Sequence, residues 1–186
     1  MPRVPPFDRC ATYEDLARLP GDLVAEIVDG ELHANPSPTS RVASSAIALG
    51  GTLRRALEQR GRESWQIVPG PELHLGADIF VPGLAGWGLS RLPELPVTAY
   101  FSVPPDWVCE IRPSCPASLR ARKMHIYARE RVSHVWLFDP VAHTLEVQRL
   151  EDGRWTVVAT HIGDQLVRAE PFAVLELQLG AFWLRE

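Results

Sequence analysis

Two neighbouring stretches decide the fold: Trp107-Val108-Cys109-Glu110-Ile111, and Leu119-Arg120-Ala121-Arg122-Lys123-Met124-His125-Ile126-Tyr127. The first is a run of β-forming and apolar side chains with Pro104-Pro105 before it and Pro113 after it, the pattern of a short strand. Alternation puts Val108 and Glu110 on one face and Cys109 and Ile111 on the other. A carboxylate in an apolar strand is costly unless it is paired or bound to a metal. On an edge strand the same Glu110 would simply sit in water. The second stretch lies in a helix expected from Pro116 to Glu130. At 100° per residue Leu119, Lys123, Ile126 and Tyr127 share one face, with the lysine among apolar neighbours. Lysine is rarely fully buried without a partner. Either Lys123 pairs with the strand carboxylate, or its stem lies along the core while its ammonium reaches water. Pairing would bring Glu110 and Lys123 within ion-pair reach in one cleft.

Working outward, Thr12 to Leu19 opens with an N-cap-like Thr followed by acids and stops at Pro20-Gly21, the signature of a short helix. Leu23–Val28 and Glu31–Ala34 are apolar runs joined by Asp29-Gly30, a strong hairpin signal. Ser37-Pro38-Thr39-Ser40 can begin a long helix with Val42, Ala46, Leu49, Leu53 and Leu57 on its inner face, ending at Gly61. Gly50-Gly51 weakens that helix by about 1 kcal/mol per glycine relative to alanine, which suggests a close packing partner. Short strands are expected at Trp65–Val68, Glu72–Leu75, Asp78–Val81 and Asp106–Ile111. Beyond the second helix, strands follow at Val135–Phe138, Thr144–Leu150, Trp155–Thr160 and Val174–Leu179. This order predicts an α/β (α+β) chain with a mixed central sheet flanked by helices and an N-terminal hairpin. Residues 1–11 read as a tail and 12–186 as a single domain.

With 186 residues the chain suits one core. Its 46% hydrophobic and 23% charged content excludes disordered, collagenous and coiled-coil classes. The net charge of −4 gives no global basic field, so nucleic acid would have to meet a local patch. Three cysteines without C-x-x-C spacing point to reduced thiols and a cytoplasmic protein. The first residues carry no signal-peptide core, and no apolar run reaches membrane-spanning length.

Several strong signatures are absent: no Gly-x-Ser-x-Gly elbow, no His-Glu-x-x-His and no phosphate loop. The six histidines do not pair at metal-ligand intervals. Glu26 lies inside the apolar run Val24–Val28, and Asp78 begins the apolar run Asp78–Val81, where an Asp is otherwise a turn residue. Arg120, Arg122 and Arg129 flank the stripe that carries Lys123 and form a candidate phosphate-binding rim. Acids on several strands plus a lysine are the ingredients of metal-assisted phosphodiester cleavage. Carboxylates hold Mg²⁺, the metal activates water, and the lysine steadies or deprotonates it.

These residues resemble the Uma-type restriction endonuclease family. The resemblance is carried by Tyr13-Glu14-Asp15-Leu16, Glu26-Ile27-Val28-Asp29-Gly30-Glu31-Leu32 and Asp78 to Trp87. It continues through Pro105 to Ile111, Arg122 to Tyr127 and Val135-Trp136-Leu137-Phe138-Asp139-Pro140. It implies a restriction-endonuclease-like fold with an Asp/Glu/Lys site that uses Mg²⁺ or Mn²⁺ on DNA. Glu110 matches the metal-binding Glu, Lys123 the helical lysine and Glu26 an accessory acid. Pro82-Gly83 stands where the family has Pro-Asp, so the metal would be held weakly, by Glu110 with help from Asp78 or Glu26. Asp78 lies an odd number of residues from position 83 and faces the other side of a regular strand. The resemblance thus implies a weakened endonuclease or, alternatively, an inactive nuclease-fold module that binds DNA or a protein partner. It leaves room for a homodimer and gives no reason to expect a membrane.

Overall fold

The computed structural model describes residues 10–59, 65–111 and 115–184. Helix α1 (Tyr13–Ala17) is closed by its own capping box. Asp15 Oδ2 accepts hydrogen bonds from the Thr12 backbone N–H at 2.9 Å and from the Thr12 hydroxyl at 2.8 Å. Strands β1 (Leu23–Val28) and β2 (Glu31–Pro36) form the expected hairpin. Asp29 and Gly30 both have positive φ (50° and 76°), as a two-residue turn matched to strand twist requires.

Helix α2 (Ser40–Gln59) buries Val42, Ala46, Leu49, Leu53 and Leu57 along one stripe. The expected stop at Gly61 lies outside the described residues. Strands β3 (Trp65–Pro69), β4 (Glu72–Leu75) and β5 (Asp78–Phe80) follow. Two strands that the sequence did not announce come next, β6 (Leu84–Gly88) and the short β7 (Tyr100–Phe101). Strand β8 (Trp107–Ile111) and helix α3 (Ala117–Arg129) fall where expected. The chain continues through β9 (His134–Asp139), β10 (Thr144–Glu151) and β11 (Arg154–Ile162). Two short strands, β12 (Leu166–Val167) and β13 (Leu177–Gln178), precede a 3₁₀ turn at Leu179–Ala181.

The architecture is mixed α+β. The principal strands form two sheets, ordered β2-β1-β5-β4-β7 and β11-β10-β9-β8-β6-β3, where the sequence suggested one. Each sheet contains one parallel pair, β4 with β7 and β8 with β9, among antiparallel neighbours. The six-stranded sheet is the middle layer. Trp107, Cys109 and Ile111 of β8 point to the core beneath α2, while Val108 points to the core that holds α3. That second core also takes Val28, Leu73, Leu75 and Phe80 from the five-stranded sheet. Helix α3 therefore touches side chains from both sheets.

Strand β6 was hidden by its glycines, which make room for neighbours. A Cβ on Gly86 would lie 3.1 Å from the Trp107 ring and 3.3 Å from the Trp65 ring. Gly50 of α2 fits the same logic, since a Cβ there would meet Leu84 Cδ2 at 2.8 Å.

Candidate active site

Glu26 on β1, Glu110 in the middle layer on β8 and Lys123 on α3 converge, although 97 residues separate the first from the last. Each enters by its element's period. Glu26 lies on the opposite face of β1 from Ile27, Glu110 shares the Val108 face of β8, and Lys123 lies on the inner stripe of α3. Lys123 Nζ lies 2.7 Å from Glu26 Oε1 and 2.7 Å from Glu110 Oε1. All three are buried, with Lys123 at 1% exposure and each carboxylate residue at 3%.

The surrounding groups hold the trio in place. The Val81 backbone N–H donates to Glu26 Oε1 at 2.9 Å, and the Tyr127 hydroxyl donates to Glu110 Oε1 at 2.6 Å. The Phe80 ring centroid lies 5.6 Å from Lys123 Nζ and meets the Tyr127 ring edge-on at 5.5 Å. Burial alone would push the lysine pKa down, but the carboxylates of Glu110 and Glu26 outweigh it and raise the pKa above the ordinary lysine value. Burial, reinforced by Glu110, pushes the Tyr127 hydroxyl well above its usual pKa, so it stays a proton donor. The same two causes push the nearby Cys115 thiol up to about 12, so it is not a thiolate nucleophile at neutral pH. Tyr127, one turn beyond Lys123, is the contributor whose role the sequence did not assign; its i+4 spacing was the available signal.

The trio forms the floor of a cleft of ≈ 420 Å³ that opens between α2 and the β1–β2 hairpin, with Gly83 also in its wall. A side chain at 83 would collide with Ile111. A Cβ there would overlap Ile111 Cγ1 and lie 2.8 Å from Ile111 Cδ1 and 3.2 Å from the Cys109 carbonyl oxygen. Ile111 thus fills the space beside the floor that an acid at this position would need.

Asp78 does not join the cluster. Its Oδ1 accepts from the Asp29 backbone N–H at 2.7 Å and its Oδ2 from Arg129 at 2.9 Å, so it braces the hairpin turn against α3. In β5 it shares the Phe80 face, which is also the Glu26 face of the paired strand β1, and it is displaced along the sheet toward the hairpin turn rather than turned to the other side. The arginines are occupied to different degrees. Arg122 bonds Asp29 and Glu31 and donates to the Val28 carbonyl, while Arg129 pairs with Asp78 and Glu130. Arg120 donates to the neutral Cys115 carbonyl at 3.1 Å.

Two carboxylates converging on one positive charge form a donor set that suits a hard cation. Mg²⁺ takes oxygen ligands and is commonly held by one or two carboxylates plus substrate phosphate. The set is minimal, since no group of three or more His, Cys, Asp or Glu with metal-binding geometry occurs among the described residues.

Residues 10–180 match the model of a family described as "Uma2: Putative restriction endonuclease". The fold matches the crystal structure of "a putative nuclease belonging to DUF820" from Anabaena variabilis ATCC 29413, with a TM-score of 0.74 and 20% sequence identity. That likeness covers 94% of this chain and 99% of the other. Among curated proteins none is significantly similar.

Proposed function

Because the chain belongs to the Uma2 restriction endonuclease family, we propose that it hydrolyses DNA phosphodiester bonds with one weakly held Mg²⁺ or Mn²⁺. One observation carries the reading: Glu26 and Glu110, from different sheets, both lie 2.7 Å from a single ammonium in a cleft. Glu110 and Glu26 would hold the cation, which when bound supplies charge neutralisation at the phosphate and an acidified water. Lys123 keeps its proton and orients the two carboxylates, and it offers N–H donors to a phosphate oxygen that enters the floor. Tyr127 fixes Glu110 by donating to Oε1. All of these groups come from one chain. Two buried thiols, Cys109 and Cys115, and the lack of a helix long and apolar enough to cross a membrane among the described residues are compatible with a cytoplasmic setting.

Plasmid nicking tests the proposal. Wild type should nick slowly in Mg²⁺ or Mn²⁺ and not in chelator, and Glu110→Ala should abolish the nicking. Nicking that survives in Glu110→Ala counts against this site. A second reading, a non-cutting module that binds DNA, is favoured by Ile111 filling the space beside Gly83. It predicts DNA retention on a gel with no nicking by wild type in either metal.

A further inference from the structure

We propose that the cleft seats the base of an unpaired nucleotide, so that the site acts on single-stranded DNA in preference to duplex. The inference rests on the DNA reading above and narrows its substrate. Three features of the cleft lead to it.

The first is depth. Glu26, Glu110 and Lys123 line the cleft, yet none is more than 3% exposed. A phosphate reaches them only by entering a space of ≈ 420 Å³, which lies within the roughly 300–1,000 Å³ range of small-ligand pockets. A duplex cannot enter such a space, because its bases are held in a paired stack, whereas a single strand can turn one nucleotide inward.

The second is the chemistry of the walls. Val42, Ala46 and Ile47 of α2 line the cleft together with Val24 and Pro36 of the hairpin. Apolar surfaces of this kind accept the faces of an extruded base in enzymes that act on single bases. Asn35 is the one amide in the lining among the described residues. A side-chain amide carries both donors and an acceptor and can bond a base edge.

The third is charge. Duplex affinity comes largely from cations that neutralise the backbone. Among the described residues, the only cation lining the cleft is Lys123, which Glu26 and Glu110 neutralise. The neighbouring Arg122 and Arg129 are held in ion pairs with Asp29, Glu31, Asp78 and Glu130. Enclosure of an unpaired base against the apolar walls is a contact that a paired stack cannot make, so it favours the strand over the duplex.

Fluorescence anisotropy with a labelled 20-nucleotide strand and its duplex, in chelator and low salt, tests the inference. Wild type should bind the strand at least tenfold more tightly than the duplex. Ala43→Trp, on a partly exposed position of the α2 wall, should fill the mouth and erase most of that preference while the circular dichroism spectrum is unchanged. Asn35→Leu should weaken strand binding by a smaller factor and flatten its dependence on base identity. Equal affinity for strand and duplex overturns the inference and leaves the DNA reading standing. So does a preference that both folded variants retain. Absence of binding to either form overturns the DNA reading and this inference with it.

Discussion

Lys123 stays charged at 1% exposure because two carboxylates flank it, and the same arithmetic makes it expensive to remove. Lys123→Met would leave Glu26 and Glu110 buried against each other without a counter-charge. Breaking a buried ion pair in this way typically costs about 3–5 kcal/mol. Urea unfolding at pH 7 should show that loss, while Tyr127→Phe, which deletes one hydrogen bond to the Glu110 carboxylate, should cost less, about 1.5–3 kcal/mol. A Lys123→Met loss under about 1 kcal/mol would contradict the buried pairing. The lysine also sets a pH signature. Its pKa is raised in the fold, so its contribution is fully present below the unfolded value of about 10.4. The contribution is lost as pH rises from there through the folded value. Wild type should therefore lose stability above about pH 10.4 more steeply than Lys123→Met. Parallel alkaline limbs would show that the lysine is not linked to folding.

At the scale of the element, neighbouring glycines in one helix have opposite meanings. Gly50 of α2 faces Leu84, and an added Cβ would meet Leu84 Cδ2 at 2.8 Å, whereas a Cβ on Gly51 would meet nothing within 4 Å. Glycine inside a helix costs about 0.5–1 kcal/mol relative to alanine. Gly51→Ala should recover that amount and raise the urea midpoint, while Gly50→Ala should give no net gain because Leu84 must move. Equal gains from both would mean that Leu84 yields freely. The arginines of α3 divide in the same way. Arg122 and Arg129 already face carboxylates, whereas Arg120 faces a carbonyl. If this face meets phosphate, Arg120→Ala should reduce the slope of log affinity against log salt by about one counterion, and Arg122→Ala by less. An equal reduction for both would mean that the Arg122 pairs open on binding.

At the scale of the molecule, what the sequence revealed depended on whether a signal was local. The hairpin, both long helices and the inward Lys123 follow from turn chemistry and periodicity within a dozen residues. Strand β6 did not, because Gly86 and Gly88 depress strand propensity, and the reason for Gly86 is the bulk of Trp65 and Trp107, far away in sequence. The division into two sheets was equally hidden, since no local pattern says that β1 pairs with β5 while β6 pairs with β8. The acid set was legible as composition but not as geometry. Glu26 lies 2.7 Å from Lys123, whereas Asp78, equally buried and equally within an apolar run, turns to the hairpin and Arg129.

Position 83 joins these scales, because the space that a side chain there would need is filled from a neighbouring strand. Gly83 immediately precedes β6, and Ile111 closes β8 beside it, so placing a carboxylate there requires two changes and not one. Gly83→Asp alone forces its Cβ against Ile111, and overpacking of this kind costs about 1–3 kcal/mol. Ile111→Ala alone leaves a cavity in the α2 core at about 2–5 kcal/mol. Together the two changes should offset each other, with an interaction energy favouring the double variant by about 1 kcal/mol or more in a double-mutant cycle. The double variant adds a third carboxylate to Glu26 and Glu110, which should tighten Mg²⁺ binding in calorimetry and speed plasmid nicking. Gly83→Asp alone should do neither. Adding Glu110→Ala to the double variant should abolish the gain, since it removes a cation ligand and leaves Lys123 with one partner. If Gly83→Asp alone nicks as fast as the double variant, Ile111 moves aside and does not control the site. If wild type already nicks as fast as both, Glu26 and Glu110 suffice to hold the metal, and the glycine marks a two-carboxylate site rather than a weakened one.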